Sequence, residues 1–514
     1  MAEDLKETLP RVPDDIAPYI LLDRVEGSPR LLIADNNKSD PKIQSFYRRL
    51  REIPELGSLE PRFLSLPELR QLQSDESEEL ITSTNQDRVI GLFRLARQVG
   101  ASDIHMKIGH EGLTQIQMRV HGELETVDTL EKDEGRLLAS TIVLSMCDQA
   151  EKLFNDTRPQ DGRLAAKFLE GLNLFGARYA HIPSTFGLNV VMRIIPDDGK
   201  APPTLAELGF LPEQQALLND IVATPEGELV LSGPTGSGKS TTLRSLGTVW
   251  TRMTRGKKCL FTVEDPPEGR IPGAVQTAIT ADRNDPDAVS QAWVRSITAA
   301  VRLDPDAILV GEMRCANSAR TALMAAMTGH LVLTTLHAND PFNILERLAT
   351  LNVEPDLIAD PQIMIGLVSQ RLVQTLCPHC SLTWEQAAPG LNDREQALIR
   401  AWCDTDTVRF RNTDGCPHCR IEAGKHHISR GVTGRVVVAE VVRPDIHLLS
   451  IYRREGRLAA RRYWHDNLQG ITRCEHIRQL VNSGRVDPLA AHAIVPLDED
   501  RIFLELQEAA REKH

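Results

Sequence analysis

The chain has 514 residues, about a quarter of them charged, and a formal net charge of −12. That length calls for about three or four domains, because single hydrophobic cores stop growing well below it. The acidic balance excludes the global basic field behind sequence-independent nucleic-acid binding, no run of about eighteen apolar residues offers a membrane span, and the opening MAEDLKETLPRVPDD is acidic where a secretory signal would be basic and then apolar. A soluble cytoplasmic protein is expected.

Residues 1–84 are rich in proline and charge, with short apolar patches at 19–22 and 31–33, and read as a small or loosely packed leader. The Asp, Glu, Ser and Thr run over 73–84 reads as a solvated linker. From Asn85 the residues Val89, Leu92, Phe93, Ala96 and Val99 recur at helical spacing, and Ile104, Met106 and Ile108 then alternate as in a half-buried strand. Further strands are predicted at 115–120, 163–168, 178–181 and 189–195, separated by turn dipeptides such as Asp161-Gly162. This makes a compact α/β domain over 85–203.

The next stretch alternates apolar strands at 229–231, 260–263, 308–310 and 331–336 with helical segments, which predicts a mainly parallel, doubly wound sheet. After Cys377 a cysteine-bearing insert runs to about 425, and the tail beyond is predicted to be mainly helical over 426–514, with helices at 446–464 and 474–481.

The first of those strands runs into Gly233, Pro234, Thr235, Gly236, Ser237, Gly238, Lys239, Ser240 and Thr241, the GxxxxGK[ST] spacing between a strand and a helix. Its glycines let backbone N–H groups turn inward around phosphate oxygens, so a nucleoside triphosphate, ATP, is the expected ligand. Lys239 should reach the β and γ phosphates and Ser240 should ligate Mg²⁺. The strand at 308–310 ends in Gly311-Glu312, placing a carboxylate at the same sheet edge, where it would orient or deprotonate water. Glu264, Asp265 and Glu268 crowd the end of another strand and would repel a triphosphate unless Mg²⁺ or arginines intervene. His337 emerges at a carboxyl strand end, where it could sense the γ-phosphate, while His330 lies at the opposite end and is the weaker candidate.

Nine cysteines are present, and Cys377-Pro378-His379-Cys380 and Cys416-Pro417-His418-Cys419 repeat one tetrapeptide. In a reducing compartment this suggests a closed Zn²⁺ site on Cys377, Cys380, Cys416 and Cys419 rather than paired free thiols. Arg453, Arg454, Arg457, Arg461 and Arg462 lie on the predicted 446–464 helix as a solvated face or a contact for acidic lipid or a partner.

The segments GPTGSGKSTT, TVEDPPE, DPDAILVGEMR and TGHLVLTTLHANDP resemble, in order and spacing, the Walker A, Asp box, Walker B and His box of the type II secretion and type IV pilus assembly ATPases. Residues 101–105, 119–122, 160–163 and 369–372 also resemble signatures of that family, so the likeness covers about 85–440. The resemblance implies a PAS-like domain over 85–203, a RecA-like ATPase core over 204–376, a tetracysteine subdomain over 377–425 and a homo-hexamer docked on an inner-membrane platform protein. Membrane association would be peripheral and through partners, with no direct nucleic-acid binding. It also implies that Arg178 and Arg193 reach the γ-phosphate from the first domain, and the tetracysteine insert resembles extension and secretion motors rather than retraction motors. Departures are Cys315, Ala316, Asn317 and Ser318 in place of Asp-x-Glu-Thr, and Leu188 where an acid is usual; they suit a specialised type IVb pilus system. The 84-residue leader leaves no room for a large amino-terminal docking module. A nucleic-acid motor and a non-hydrolytic zinc and nucleotide scaffold are the rival classes.

Overall fold

A parallel strand covered on both faces reads as an uninterrupted apolar run, and the alternating direction of its side chains feeds two cores at once. The computed structural model of the chain describes residues 10, 12–13, 15–25, 28–54, 56, 58–150, 153–197, 199–281, 285–423 and 426–500, so residues 1–9 of the expected leader and 501–514 of the expected tail lie outside the described residues. The chain divides into two units, residues 1–91 with 137–146 and residues 92–136 with 147–514.

In the first unit β1 (Ile20–Val25), β2 (Ser28–Ala34) and β3 (Pro61–Leu64) form a sheet, antiparallel then parallel. Ile16, Leu31, Ile33, Ile43, Phe46 and Leu50 close a core on it, the last three from the helix Pro41–Arg51. The leader is therefore a packed element, not a loose one. The linker expected over 73–84 is instead the middle of the helix Leu66–Gln98, which also runs through the boundary drawn at 84. No glycine or proline interrupts residues 68–90, so the polar run that looked unstructured has nothing to break a helix.

The second unit holds two seven-stranded sheets. One comprises β4 (Asp103–His110), β5 (Leu113–Val120), β6 (Glu123–Glu131), β7 (Cys147–Ala150), β8 (Gln160–Leu164), β9 (Leu174–Ser184) and β10 (Gly187–Pro196), all antiparallel, in the order β6-β5-β4-β10-β9-β8-β7. β6 and β7 have no counterpart in the sequence reading. Asp161-Gly162, taken as a turn, lies inside β8, paired with Ala180 and Tyr179, and the strand expected over 163–168 stops at Leu164 before a 3₁₀ turn.

The other sheet comprises β11 (Gly227–Ser232), β12 (Leu260–Glu264), β13 (Ala274–Ala278), β14 (Ala307–Val310), β15 (Leu331–Leu336) and β16 (Met364–Leu376). After an insert that carries the small pair β17 (Ile421–Ala423) and β18 (His426–Ile428), the chain returns as β19 (Val432–Val442). The order is β13-β12-β14-β15-β11-β16-β19, parallel except for the antiparallel pair β16 and β19. Val230, Ile308, Val310 and Val332 face Trp293, Ile297, Leu323 and Phe342, while Leu229, Leu231, Leu309 and Leu333 face Ile221, Leu243, Leu246 and Trp250. This is the doubly wound α/β arrangement expected, with three strands more, β13 at one edge and β16 and β19 at the other.

Three corrections concern the tail. Residues 426–442 belong to β18 and β19, not to a helical extension. The helix expected over 446–464 is two helices, Ile446–Glu455 and Arg457–Asn467, broken at Gly456, whose φ of 83° favours glycine. The arginines on them are not one solvated face. Arg461 is mostly buried against the fully buried Glu440, Arg457 bonds Asn343 beside Asp340, and Arg453 pairs with Asp356 at 2.8 Å. The buried His476 ties the helix Arg473–Asn482 to the sheet, its Nδ1 accepting from the Ala439 N–H at 3.1 Å and its Nε2 donating to the Gly209 carbonyl at 3.1 Å. Burial pushes its pKa down to about 4, so the ring is neutral.

Candidate active site

The fully buried β11 delivers Gly233 to the carboxyl edge of the parallel sheet, and the helix Lys239–Met253 leaves from Gly238. A side chain at Gly233, φ 147°, would stand 2.5 Å from the Gln370 carbonyl and the Ser237 hydroxyl, so only glycine fits. The helix start has no side-chain cap, which leaves its first-turn N–H groups for an anion. Ser237 Oγ is buried without a partner among the described residues. Gln370, buried on β16, donates through Nε2 to the Ser237 carbonyl at 2.7 Å and holds the loop from beneath. Lys239 Nζ donates to the carbonyls of Gly233 at 2.8 Å and Pro234 at 3.1 Å. Burial lowers its pKa, and Glu312 and Glu268 oppose that shift. An orphaned hydroxyl, an uncapped helix start and a half-buried ammonium together fit a triphosphate with its Mg²⁺, the first-turn hydroxyls of Ser240 and Thr241 standing at the helix mouth.

Glu312 follows β14 by two residues, with the Gly311 N–H on the Val263 carbonyl at 2.9 Å and Thr335 Oγ1 on the Gly311 carbonyl at 2.7 Å. Its two oxygens meet different partners, His337 Nε2 on Oε1 at 2.9 Å and Arg314 Nε on Oε2 at 2.9 Å. Arg314 Nη1 also reaches Asp265 Oδ2 at 3.4 Å. Glu264 turns inward. Burial raises its pKa, and its Oε1 accepts from Thr262 Oγ1 at 2.7 Å and Gln276 Nε2 at 3.1 Å. Arg314 thus stands between Glu312 and Asp265, and Arg244, which donates to the Glu268 carbonyl at 3.1 Å, feels the charges of Glu264 and Glu268, so arginines stand among the acids of this edge. His330 sits at the other end of β15, its Nδ1 against the Ala325 carbonyl at 2.9 Å, away from this edge.

The antiparallel sheet presents a charged row. Arg119 of β5, Asp103 of β4, Arg193 of β10, Arg178 of β9 and Arg163 of β8 are successive register partners. Arg193 Nε lies 3.2 Å from Asp103 Oδ1 and Arg119 Nε 3.9 Å from Asp103 Oδ2. Arg178 Nη2 donates to the Asp265 carbonyl at 2.6 Å, so strand β9 touches the loop that carries the acids. Like charges directly opposite across strands disfavour the sheet, and an anion against the row removes that cost. One cavity of about 1810 Å³ is lined by Arg119, Arg178, Arg193, the loop 234–241, Glu264, Glu312 and His337. Every nucleotide-site residue singled out in the sequence lines it, except Gly233 and the weaker candidate His330. Gln370, Arg314 and the row members Asp103, Arg119 and Arg163 were not assigned roles there, because strand register, the returning β16 and side-chain direction after β14 bring them in.

The four cysteines are not part of this lining. Their Sγ atoms lie within 4.8 Å of one another, in two turns of like shape: the Cys380 N–H reaches the Cys377 carbonyl and the Cys419 N–H the Cys416 carbonyl. Burial works against the Cys419 thiolate, but N–H groups of Cys416 and Gly431, each 3.2 Å from its sulfur, outweigh it and bring the pKa to about 7. Four thiols this close, one with N–H donors favouring its thiolate, fit a tetrahedral cation such as zinc. Of the departures from the family pattern, Leu188 is a buried β10 residue paired with Ile108, and Cys315 begins the helix Ala316–Met327 with its sulfur on Ser290 and Ser318.

Among the described residues no helix is long and apolar enough to cross a membrane. The sequence profile of the family described as type II/IV secretion system protein matches residues 88–503. The chain is similar to a type II secretion system protein E of Aeromonas hydrophila, 30% identical over 473 residues that span 89% of this chain and 87% of that one. A second relative, the type II secretion system ATPase E of Vibrio cholerae, is 31% identical over 81% of this chain and 78% of its own. The type IV pilus assembly ATPase PilB of Thermus thermophilus is 32% identical over 78% of this chain but only 43% of its own length. The solved ATPase DotB of Yersinia pseudotuberculosis shares the fold, with a TM-score of 0.50 at 23% identity over 79% of this chain and 92% of that one. The chain belongs to the type II/IV secretion system protein family, as one of its ATPases.

Proposed function

We propose that this chain is a hexameric cytoplasmic motor that hydrolyses ATP to drive assembly of a type IV pilus or type II secretion pseudopilus through an inner-membrane platform protein. The observation that carries the reading is the convergence of the P-loop, the Glu312–His337 pair and the arginine row on one cavity. In this reading residues 85–203, with the antiparallel sheet, are a PAS-like domain that closes on a RecA-like core over 204–376. The loop amides of 233–241 and Lys239 bind the phosphates, Ser240 would hold Mg²⁺, which supplies neutralisation of phosphate charge when bound, and Glu264 would support the metal or the water. Glu312 accepts the proton of the attacking water, with His337 fixing the carboxylate from Oε1 and Arg314 from Oε2. Arg178 and Arg193 meet the charge that builds on the transferred phosphoryl group and tie turnover to movement of their sheet. Cys377, Cys380, Cys416 and Cys419 hold Zn²⁺ as a staple of the insert.

The test is steady-state ATP hydrolysis by size-fractionated protein of measured oligomer mass and zinc content, with and without DNA or the platform protein's cytoplasmic domain. Turnover concentrated in a zinc-loaded hexamer and raised by the platform domain is expected. Stimulation by DNA instead would favour a nucleic-acid motor, and no turnover in any fraction a scaffold.

A further inference from the structure

The four residues from His337 to Asp340 link β15 to the helix Pro341–Thr350, and this link is gripped from the far end of the chain. The Asn339 carbonyl accepts from Arg473 Nη1 at 2.8 Å and from Arg371 Nη2 at 3.0 Å. Asp340 caps the following helix through the N–H groups of Phe342 and Asn343, so the link is fixed on both sides of that carbonyl. Arg473 is itself fixed. Its Nε donates to Glu499 Oε2 at 2.7 Å, its Nη2 bonds the other oxygen of Glu499, and its main-chain N–H donates to the buried Glu440 at 3.2 Å. A bidentate guanidinium–carboxylate pair is rigid enough to aim the remaining Nη1 at one acceptor. His337, two residues before that acceptor, holds Glu312 at 2.9 Å.

We infer that Arg473 is a positioning residue for ATP hydrolysis: clamped by Glu499, it holds the Asn339 carbonyl and thereby keeps His337 on Glu312. The inference rests on the reading of Glu312 and His337 as parts of the hydrolytic machinery. Its consequence is regulatory, because whatever moves the segment around Glu499 loosens the pair that prepares the water.

The full-length chain is assayed for steady-state ATP hydrolysis and for binding of a fluorescent ATP analogue. The variants are Arg473→Met, Arg473→Lys, Glu499→Gln, His337→Ala and the double variant His337→Ala with Arg473→Met. Arg473→Met is expected to lower kcat about tenfold with KM and analogue affinity within about twofold, since a shift of a supporting group acts on the chemistry more than on binding. Arg473→Lys, which keeps one donor for Asn339, should recover part of the loss. The double variant should be no slower than His337→Ala alone. An unchanged kcat in Arg473→Met, or the same tenfold loss in the His337→Ala background, overturns the inference, the latter by showing that Arg473 acts by another route. If Arg473→Met does not fold, Glu499→Gln carries the test, with a several-fold lower kcat at constant KM expected and an unchanged kcat overturning it. An unaffected kcat in His337→Ala would instead sink the underlying reading of the pair, and the inference with it.

Discussion

The two seven-stranded sheets supply the site by opposite means. Every residue of β11, β14 and β15 is buried, so the parallel sheet offers chemistry only where its strands stop, at Gly233, Glu312 and His337. In the antiparallel sheet β4, β5 and β10 largely alternate buried with accessible positions, and the accessible face itself carries Arg119 and Arg193, with the buried Asp103 between them in register. A sheet covered on both sides fixes a few groups in place, whereas a sheet covered on one side can present a whole row and move it as a unit.

The largest effect should come from the parallel sheet. Glu312→Gln is expected to keep ATP binding and reduce turnover by about 10²–10⁴-fold, the usual range for removing a general base. Near-normal hydrolysis would place the proton acceptor elsewhere. Next comes the antiparallel row. Arg193→Ala and Arg178→Ala should each lower kcat about 10- to 100-fold, with lysine a poor substitute because a guanidinium meets phosphate oxygens in pairs. If neither alters kcat, the face is structural and the contrast between the sheets collapses.

Metal removal should be felt outside both sheets. A zinc-selective chelator with Mg²⁺ kept in excess, or Cys416→Ser, is expected to lower the thermal midpoint by several degrees while leaving nucleotide affinity unchanged, since the cysteines line no part of the cavity. A lost affinity would tie the insert to the site. The smallest effect tests how completely the parallel sheet is closed. Glu228 on β11 is fully buried, neither carboxylate oxygen has a partner among the described residues, and burial raises its pKa to about 8. Because the folded value lies above the unfolded one, the folded state binds the extra proton between about pH 4.5 and 8, and stability falls as pH rises through that window. Glu228→Gln should flatten this slope and gain on the order of a few kcal/mol at pH 8.5, measured by denaturant unfolding. A wild-type chain with no such slope would mean that water reaches the carboxyl.

The same contrast decided what could be read from the sequence. Continuous apolar runs marked residues 229–231, 308–310 and 331–336 within a residue or two of β11, β14 and β15, and the glycine-rich turn and strand-end acid came with them. β6 buries only Val127 in a strand of acids and threonines, so neither alternation nor apolar density betrayed it. The run 73–84 misled for the converse reason, since its polarity says nothing of backbone conformation when glycine and proline are absent. Individual chemical groups were legible, but their pairings were not. Gln370 beneath the P-loop and Arg473 on Asn339 depend on strand order and on a chain return of more than a hundred residues, and Arg314 on Glu312, only two residues away, depends on which way the two side chains turn after β14.

Leu376 and Val432, the residues on either side of the cysteine-bearing insert, are themselves register partners at the joined ends of β16 and β19. The chain leaves the sheet and re-enters it at one point, so the whole excursion is topologically equivalent to a hairpin turn. Such an appendage is an exchangeable cassette. A lineage could enlarge it, trade it or drop it in one genetic step and keep the strand order that carries the P-loop, giving up only what the excursion reaches for itself, such as the ion pair between Arg411 and Glu123.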